Sequence, residues 1–269
     1  MKYFIITPSD NLSKYVRYFW VLEGEASLDN PYIHRGMADG CAELLFHYNG
    51  IFDELAHEKF TGKSFASGLV GQSQIVRRFS IDNSFGIFGV YLYPFAVSQF
   101  FAIPGSDLKN QMIDLKTLLG AQANELEEKM MLASDNFQRV TIISGFLEKK
   151  LKTIKKQPPG IFETIRDIIQ TTSHTNVEDL AKRNFLSTRQ FERNFKQIAG
   201  FSPKLFSRII RFQNALAQYN EKNKSLTEIA YTCGYYDQSH FIQDFKEFSG
   251  HNPKEYFLNN AEGTAWRET

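Results

Sequence analysis

Cysteine is scarce: the 269 residues contain only Cys41 and Cys233. A disulfide framework or a cysteine-rich zinc site needs more thiols at closer spacing, so neither is expected, and a reducing compartment, the cytoplasm, is. Long apolar runs are missing too. No stretch approaches the roughly 20 apolar residues that cross a bilayer. The opening MKYFIITPSD has one lysine and an apolar run broken by threonine and proline, which is not the pattern of a signal peptide. The G-x-S-x-G elbow, the H-E-x-x-H helix, the P-loop and the paired H-x-H of metal-binding barrels are all absent. His34, Glu43, His47 and His57 are scattered along strand-like sequence, and metal ligands must converge in space. Asp39 and Glu43 would suit acid–base work, but Asp39-Gly40 is equally a turn signal. No catalytic residue, metal or cofactor is therefore expected. Net charge is also slight, at +1, and gives no global signal for a polyanionic partner.

What the chain has in quantity is aromatic side chains, with 25 Phe, 12 Tyr and 2 Trp. Residues 15–93 carry aromatic and β-branched runs broken by Gly and Asn, as in YVRYFWVLEG, ELLFHYNG and FGIFGVYLY, and read as strands. Phe95–Phe101, Leu115–Leu132 and Asn136–Lys152 then show helical spacing, with Phe137, Ile143, Phe146, Leu147 and Leu151 near one face. The N-terminal half is expected to be α+β, a sheet or small barrel followed by helices, over residues 1–155. A break follows at Pro158-Pro159-Gly160, where no helix can continue.

Downstream, the pattern is helical and occurs twice. Ser225 and Glu228 form a capping-box pair; Leu226, Ile229 and Ala230 make an apolar stripe; Gly234 supplies a left-handed stop. A second helix over about Tyr236–Phe248 turns Phe241, Phe245 and Phe248 inward. Upstream, Asn176 caps VEDLAKRNF with Asp179 at the reciprocal position, and Ser187 with Gln190 opens STRQFERNFKQIAG, whose inward residues are Phe191, Phe195 and Ile198. Gly200-Phe-Ser-Pro203 and Gly250-His-Asn-Pro253 close the two copies alike. Spacing alone leaves open a plain helical hairpin or a module that reads DNA.

The residues Ile229, Ala230, Cys233, Gly234, Tyr235, Ser239, Phe241, Phe245, Lys246, Gly250, Pro253 and Tyr256 resemble the signature of AraC/XylS-type transcription regulators, and the likeness covers roughly residues 160–258. It implies an all-α domain over 156–260 with seven helices. Two helix-turn-helix units, near 177–198 and 225–248, would be joined by a long helix from about Ser202 to Tyr219, and residues 261–269 would form a tail. Its implied partner is double-stranded DNA, read in two adjacent major-groove segments. Position by position, the groove-facing residues would be Thr188, Arg189, Glu192, Arg193 and Lys196 in the first unit and Gln238, Ser239, Ile242 and Gln243 in the second. Arg189 and Arg193 have the chemistry to grip guanine and Gln243 to grip adenine, whereas Glu192 could accept from cytosine or orient an arginine. Charge divides unevenly. Lys182–Arg211 holds eight basic residues against Glu192, a balance of +7, while Glu221–Glu255 holds four basic and six acidic, a balance of −2. The first unit is expected to anchor and the second to select, because neutralised phosphates dominate affinity.

In the N-terminal half, Asp39-Gly40 with Glu43, Leu44 and Phe46, then Gly71-Gln72, then Gly89-Val90 with Pro94, resemble an uncharacterised domain carried by some AraC-type regulators, with Ala38 where that pattern has proline. The resemblance implies a sensor, a dimerisation domain or both, and with it a small-molecule effector, a homodimer and a contact with RNA polymerase as candidate partners. Trp20, Arg35, Glu43, Phe46 and Tyr91 are the candidate effector-binding residues, an apolar wall with polar anchors. Two other readings stay open: a ligand-independent DNA-binding or interaction protein, and an enzyme domain fused to a DNA-binding module.

Overall fold

Strand alternation in the N-terminal half sorts its aromatic residues onto two faces of one sheet. The computed structural model describes residues 1–56, 59–153, 160–171, 176–218, 224–258 and 261–264. Its first nine strands are β1 (Lys2–Ile6), β2 (Val16–Gly24), β3 (Tyr32–Gly36), β4 (Ala42–Asn49), β5 (Asp53–Ala56), β6 (Lys59–Lys63), β7 (Ser67–Val70), β8 (Arg77–Ile81) and β9 (Phe85–Leu92). Helices α1 (Pro94–Phe101) and α2 (Gly105–Leu108) lead into β10 (Met112–Asp114). They form a six-stranded sheet ordered β1-β2-β9-β4-β7-β10 and a four-stranded sheet ordered β3-β8-β5-β6, with every pairing antiparallel.

Phe19, Val21, Leu44, Phe46, Phe88 and Val90 point to one face of the large sheet and are covered by helices α3 (Leu115–Leu119), α4 (Gln122–Leu132) and α5 (Asn136–Leu151). Trp20, Leu22, Ile87 and Tyr91 point to the other, toward Tyr32 and Ile81 of the small sheet. The period of two in the side-chain direction enforces this division. Gly89 sits opposite Trp20 in the register, and any Cβ there would overlap the indole. The glycine thus clears the space into which Trp20 lies.

Two helical expectations need adjustment. Leu115–Leu132 is not continuous: Gly120, at φ +58°, separates α3 from α4. In α5 the buried residues are Arg139, Ile143 and Leu147, and Phe137 is 74 % exposed, off the inward stripe.

The C-terminal half contains α6 (Gly160–Gln170), α7 (Val177–Arg183), α8 (Thr188–Ala199), α9 (Pro203–Leu216), α10 (Leu226–Thr232), α11 (Gln238–Ser249) and α12 (Pro253–Phe257), the expected seven helices among the described residues. Their core is phenylalanine: Phe191, Phe195, Phe206, Phe212, Phe241, Phe245 and Phe248 are all fully buried, each stabilising the fold by roughly 2–3 kcal/mol. The boundary expected at 155–156 and the Pro158-Pro159 break lie outside the described residues, as does residue 219 at the expected end of the long helix.

No helix among the described residues is long and apolar enough to cross a membrane. Both halves share one apolar cluster running from Trp20 and Tyr91 through Ile169 and Ile210 to Phe248. Phe95 of α1 stacks on Phe162 of α6 with ring centres 4.7 Å apart, and Arg166 donates to the Lys14 carbonyl at 2.7 Å.

Candidate DNA-reading faces and effector cavity

Each helix pair is fixed by its own sequence. Ser187 and Gln190 form a reciprocal capping box at the start of α8, and Ser225 and Glu228 do the same for α10. Such boxes satisfy amides that the first turn leaves without partners. Asn176 caps α7 by accepting from the Glu178 amide; Asp179 does not reciprocate and instead lies 3.9 Å from Lys182. Asp237 caps α11, so that helix begins at Gln238, two residues after the expected start.

The turns between the helices are equivalent in their hydrogen bonds. The Leu186 amide reaches the Ala181 carbonyl and the Tyr235 amide reaches that of Ala230, both at 3.0 Å. The left-handed residue in the second turn is Gly234 at φ +78°, as its type suggested. In the first turn it is Phe185, at φ +55° with its side chain 95 % exposed.

The outward faces of α8 and α11 differ. Thr188, Arg189, Glu192, Arg193 and Lys196 are all exposed, and none of these charged groups is ion-paired among the described residues. They make one polar strip along α8. On α11, Ser239 and Gln243 are exposed, but Gln238 and Ile242 are half-buried, and Gln238 accepts from the Thr227 hydroxyl at 3.3 Å.

Asp244, which counts in sequence as a surface charge beside Gln243, is buried. Arg208 of α9 donates to it at 2.7 and 3.1 Å and reaches Glu247 at 2.6 Å. Arg208 therefore neutralises the second unit rather than adding to the first. Moving that one charge changes the balances from +7 and −2 to +6 and −1, so the asymmetry narrows and keeps its sign.

Between the two sheets lies a cavity of about 510 Å³, a size suited to one small organic molecule. Trp20, Arg35, Glu43 and Tyr91 line it, whereas Phe46 does not. Alternation along β4 sends Glu43, Leu45 and His47 inward and Phe46 into the opposite core. Sequence reading missed Tyr3, Tyr18 and Arg17. A β-bulge between Val16 and Tyr18 places the consecutive residues Arg17 and Tyr18 on the cavity side, which strict alternation forbids. It also missed Ile169, Ile210 and Gln213, which close the cavity from α6 and α9 and become neighbours only when the two halves dock.

The polar wall is strongly perturbed. Tyr91 stacks on Tyr18 at 4.7 Å and donates to both Asp39 oxygens at 2.6 and 2.7 Å, while the Cys41 amide donates to Asp39 at 2.8 Å. Burial pushes Asp39 up despite those donors and the nearby Arg17. Burial, with the neighbouring Asp39 charge, pushes Glu43 up to about 8. The Arg17 guanidinium lies 5.0 Å over the Tyr91 ring and donates to the Cys41 sulfur at 3.6 Å. Burial raises the Cys41 thiol to about 12 and, with His34 nearby, lowers His47 to about 4. His57 lies outside the described residues, and among those described no group of three or more His, Cys, Asp or Glu is placed to hold a metal ion.

Residues in or next to that wall meet both outward-facing helices at their C-terminal ends. The Ala38 amide donates to the Phe248 carbonyl at 2.9 Å, Arg35 donates to that of Ser249 at 3.3 Å, and Gln213 of α9 donates to the Ala38 carbonyl. At the end of α8, Gly200 at φ +80° lies against the Gln72 side chain, where any Cβ would overlap it. Glu262, in the stretch expected to be a tail, bridges Arg35 at 3.0 Å and Arg78 at 2.6 Å. Partial burial works against its ionisation, but the two guanidiniums outweigh it and hold Glu262 below its ordinary value. Residues 265–269 of that stretch lie outside the described residues.

Two family models match the chain: a domain of unknown function, DUF6597, over residues 5–114, and a helix-turn-helix domain over residues 180–259. The HTH-type transcriptional activator RhaS of Escherichia fergusonii is 33 % identical over 78 residues, which are 29 % of this chain and 28 % of that protein. An uncharacterised HTH-type transcriptional regulator of Haemophilus influenzae is 31 % identical over 87 residues, 32 % of this chain and 29 % of its own length. The chain thus spans less than a third of either relative's length. Among solved structures, an apo variant of ToxT from Vibrio cholerae covers 90 % of this chain and 98 % of its own at a TM-score of 0.50 and 17 % identity. ToxT bound to a methylnaphthalenyl butenoic acid matches equally well, at 0.50 and 16 %. At that identity the likeness is one of fold: a β-rich domain with helices, followed by a helical helix-turn-helix domain.

Proposed function

We propose that this chain, which carries an AraC-type helix-turn-helix domain behind a domain of the DUF6597 family, is a sequence-specific transcriptional regulator. It reads two adjacent major-groove segments of double-stranded DNA with α8 and α11, and a small molecule in the cavity modulates it. The observation that carries this reading is adjacency: Arg35 lines the cavity and bonds the C-terminal end of α11, while Ala38 and Gln72, each flanked in the chain by cavity-lining residues, meet the C-terminal ends of α11 and α8.

The 14-residue α9 spans about 21 Å and joins the two units. Two groove segments on one face of DNA recur at roughly 34 Å, so the relative placement of α8 and α11 decides whether both insert at once. A ligand that contacts α9 and the Ala38 loop differently in two docking arrangements shifts the population between them. The ToxT structure that holds a small organic acid supports a ligand-binding role for the fold by analogy only. A cytoplasmic location, a homodimer and a contact with RNA polymerase belong to the same reading, and no catalytic role does.

Selection from a random duplex library with the full-length chain tests the proposal. The expected outcome is an enriched motif of two blocks about one helical turn apart. Retention of DNA without sequence enrichment, or of none, would sink it.

A further inference from the structure

The cavity's charged groups are unequally committed. Arg35 is met by Glu262 and Arg77 by Glu54 at 2.6 Å. Asp39 is held by Tyr91 and the Cys41 amide, and Arg17 balances its field from beside Cys41. His47 stays neutral, and His34 is engaged with the Tyr32 hydroxyl at 3.2 Å. From the C-terminal half, Gln213 and Asn214 add no charge.

That leaves Glu43. Its carboxyl makes no ion pair among the described residues, and the buried indole N–H of Trp20 beside it favours its ionised form without reaching full hydrogen-bond geometry. Around this pair stand the rings of Tyr3, Tyr18 and Tyr91, with Tyr3 and Trp20 centred 6.4 Å apart.

We propose that the cavity takes an organic amine in its protonated form, the ammonium on the Glu43 carboxylate and the apolar or aromatic body among Tyr3, Tyr18, Trp20 and Tyr91. The inference deepens the ligand-responsive reading above and rests on it. Aromatic faces attract a cation, and a carboxylate opposite them completes its neutralisation. An ionised Glu43 is also the stronger acceptor for the Trp20 N–H beside it. A carboxylate ligand would instead add a third acidic group beside Asp39 and Glu43, where, of the arginines among the described residues that line the cavity, Arg35 and Arg77 are already matched to carboxylates and only Arg17 is not. Binding is non-covalent: Glu43 gives up its proton to solvent as the ammonium arrives, and net charge in the cavity is conserved.

The test uses the full chain, thermal unfolding and titration calorimetry at pH 7. The probes are tryptamine, phenethylamine and octylamine, each with its matching alcohol and carboxylate. Expected is binding of at least one amine, tenfold or more tighter than its alcohol and carboxylate partners. That binding should weaken at least tenfold in Glu43→Gln, and calorimetry in two buffers of different ionisation enthalpy should register close to one proton released per amine on the unaltered protein. Because the proton readout needs no variant, a Glu43→Gln chain that failed to fold would not block the decision. Tighter binding of an alcohol or carboxylate, unchanged amine binding in Glu43→Gln, absence of proton release, or no response to any amine would each overturn the inference. Library selection with unliganded protein reads the regulator proposal separately, so the two can fail independently.

Discussion

The amide of Ala38 donates to the carbonyl of Phe248 at 2.9 Å, and the carbonyl of the same Ala38 accepts from Gln213. One residue of the β3–β4 loop is thereby tied to the last turn of α11 and to the connecting helix α9. Because Gln213 also lines the cavity, it offers a physical route from a ligand to the placement of α11, beside the direct contact of Arg35 with Ser249. Gln213→Leu keeps the volume and removes the donor. It is expected to lower stability by about 1 kcal/mol, the net worth of one such bond. It should also reduce the effect of a bound ligand on DNA affinity. Denaturant unfolding and DNA binding with and without ligand check both parts; full ligand response in the variant would remove Gln213 from the route.

On the DNA side, Arg193 and Gln243 should behave unequally. Arg193 is exposed, lacks an acidic partner among the described residues and sits in the unit with the balance of +6, whereas Gln243 lies in the unit with −1. Arg193→Ala is expected to cost roughly 1–3 kcal/mol of specific binding through a lost bidentate contact. Gln243→Ala should cost less and mainly relax the preference at its own base position. Binding to the selected motif across a salt series separates them, and equal losses would discard the idea that the first unit anchors.

Much of the two-unit helical domain was legible in the chain because its determinants are local. Ser187 with Gln190 and Ser225 with Glu228 act within three residues, and the Phe191/Phe195 and Phe241/Phe245/Phe248 stripes follow from helical periodicity alone. Two features were not legible for the opposite reason. Asp244 looks like a surface charge until Arg208, 36 residues away, is brought against it. The cavity has walls from both halves of the chain, and its inward pair Arg17 and Tyr18 depends on a bulge whose position alternation does not reveal. Phe46 illustrates the limit of composition as a guide, since an aromatic beside Glu43 in function must share its strand face, and Phe46 is three residues away on the other one.

Phe185 holds a backbone conformation that its partner unit assigns to glycine. At φ +55° an L-residue costs about 1–2 kcal/mol, and at 95 % exposure the ring recovers almost nothing by burial. Glycine gives back roughly 0.5–1 kcal/mol in unfolded-chain entropy. Phe185→Gly is therefore expected to raise stability by about 0.5–1 kcal/mol in chemical denaturation. If it also weakened DNA binding or transcriptional output, the strain would be serving a contact made by the exposed ring.

The seam at Glu262 should respond to acid. Its folded value lies below the ordinary carboxylate range, so the contribution is fully present above the unfolded value and is lost as pH falls through the folded one. With a third of the side chain exposed, solvent screening holds that contribution to about 1 kcal/mol. Glu262→Gln should therefore lower stability by about that amount at neutral pH and by progressively less once the pH falls through the folded value. An unchanged difference across that fall would show that the loss came from packing rather than charge.

Glu43 predicts the opposite slope. Its folded value, about 8, exceeds the ordinary value near 4.5, so between those limits the native state keeps a proton that the unfolded chain releases. Stability of the unliganded protein must therefore fall as pH rises through that window, by on the order of 4 kcal/mol if the whole shift is expressed. Glutamine cannot ionise, so Glu43→Gln should match the parent near pH 4 and exceed it progressively toward pH 8. An amine bound to the carboxylate would reverse the trend, because ionisation then gains a partner: affinity should rise with pH until Glu43 is ionised in the free protein, and fall again only when the amine itself loses its proton. Unfolding curves from pH 4 to 9, with and without amine, distinguish these slopes. A parent and variant that run parallel across the range would mean that Glu43 is ionised and matched in the free protein, and the cavity would then have no uncompensated carboxyl to offer a ligand.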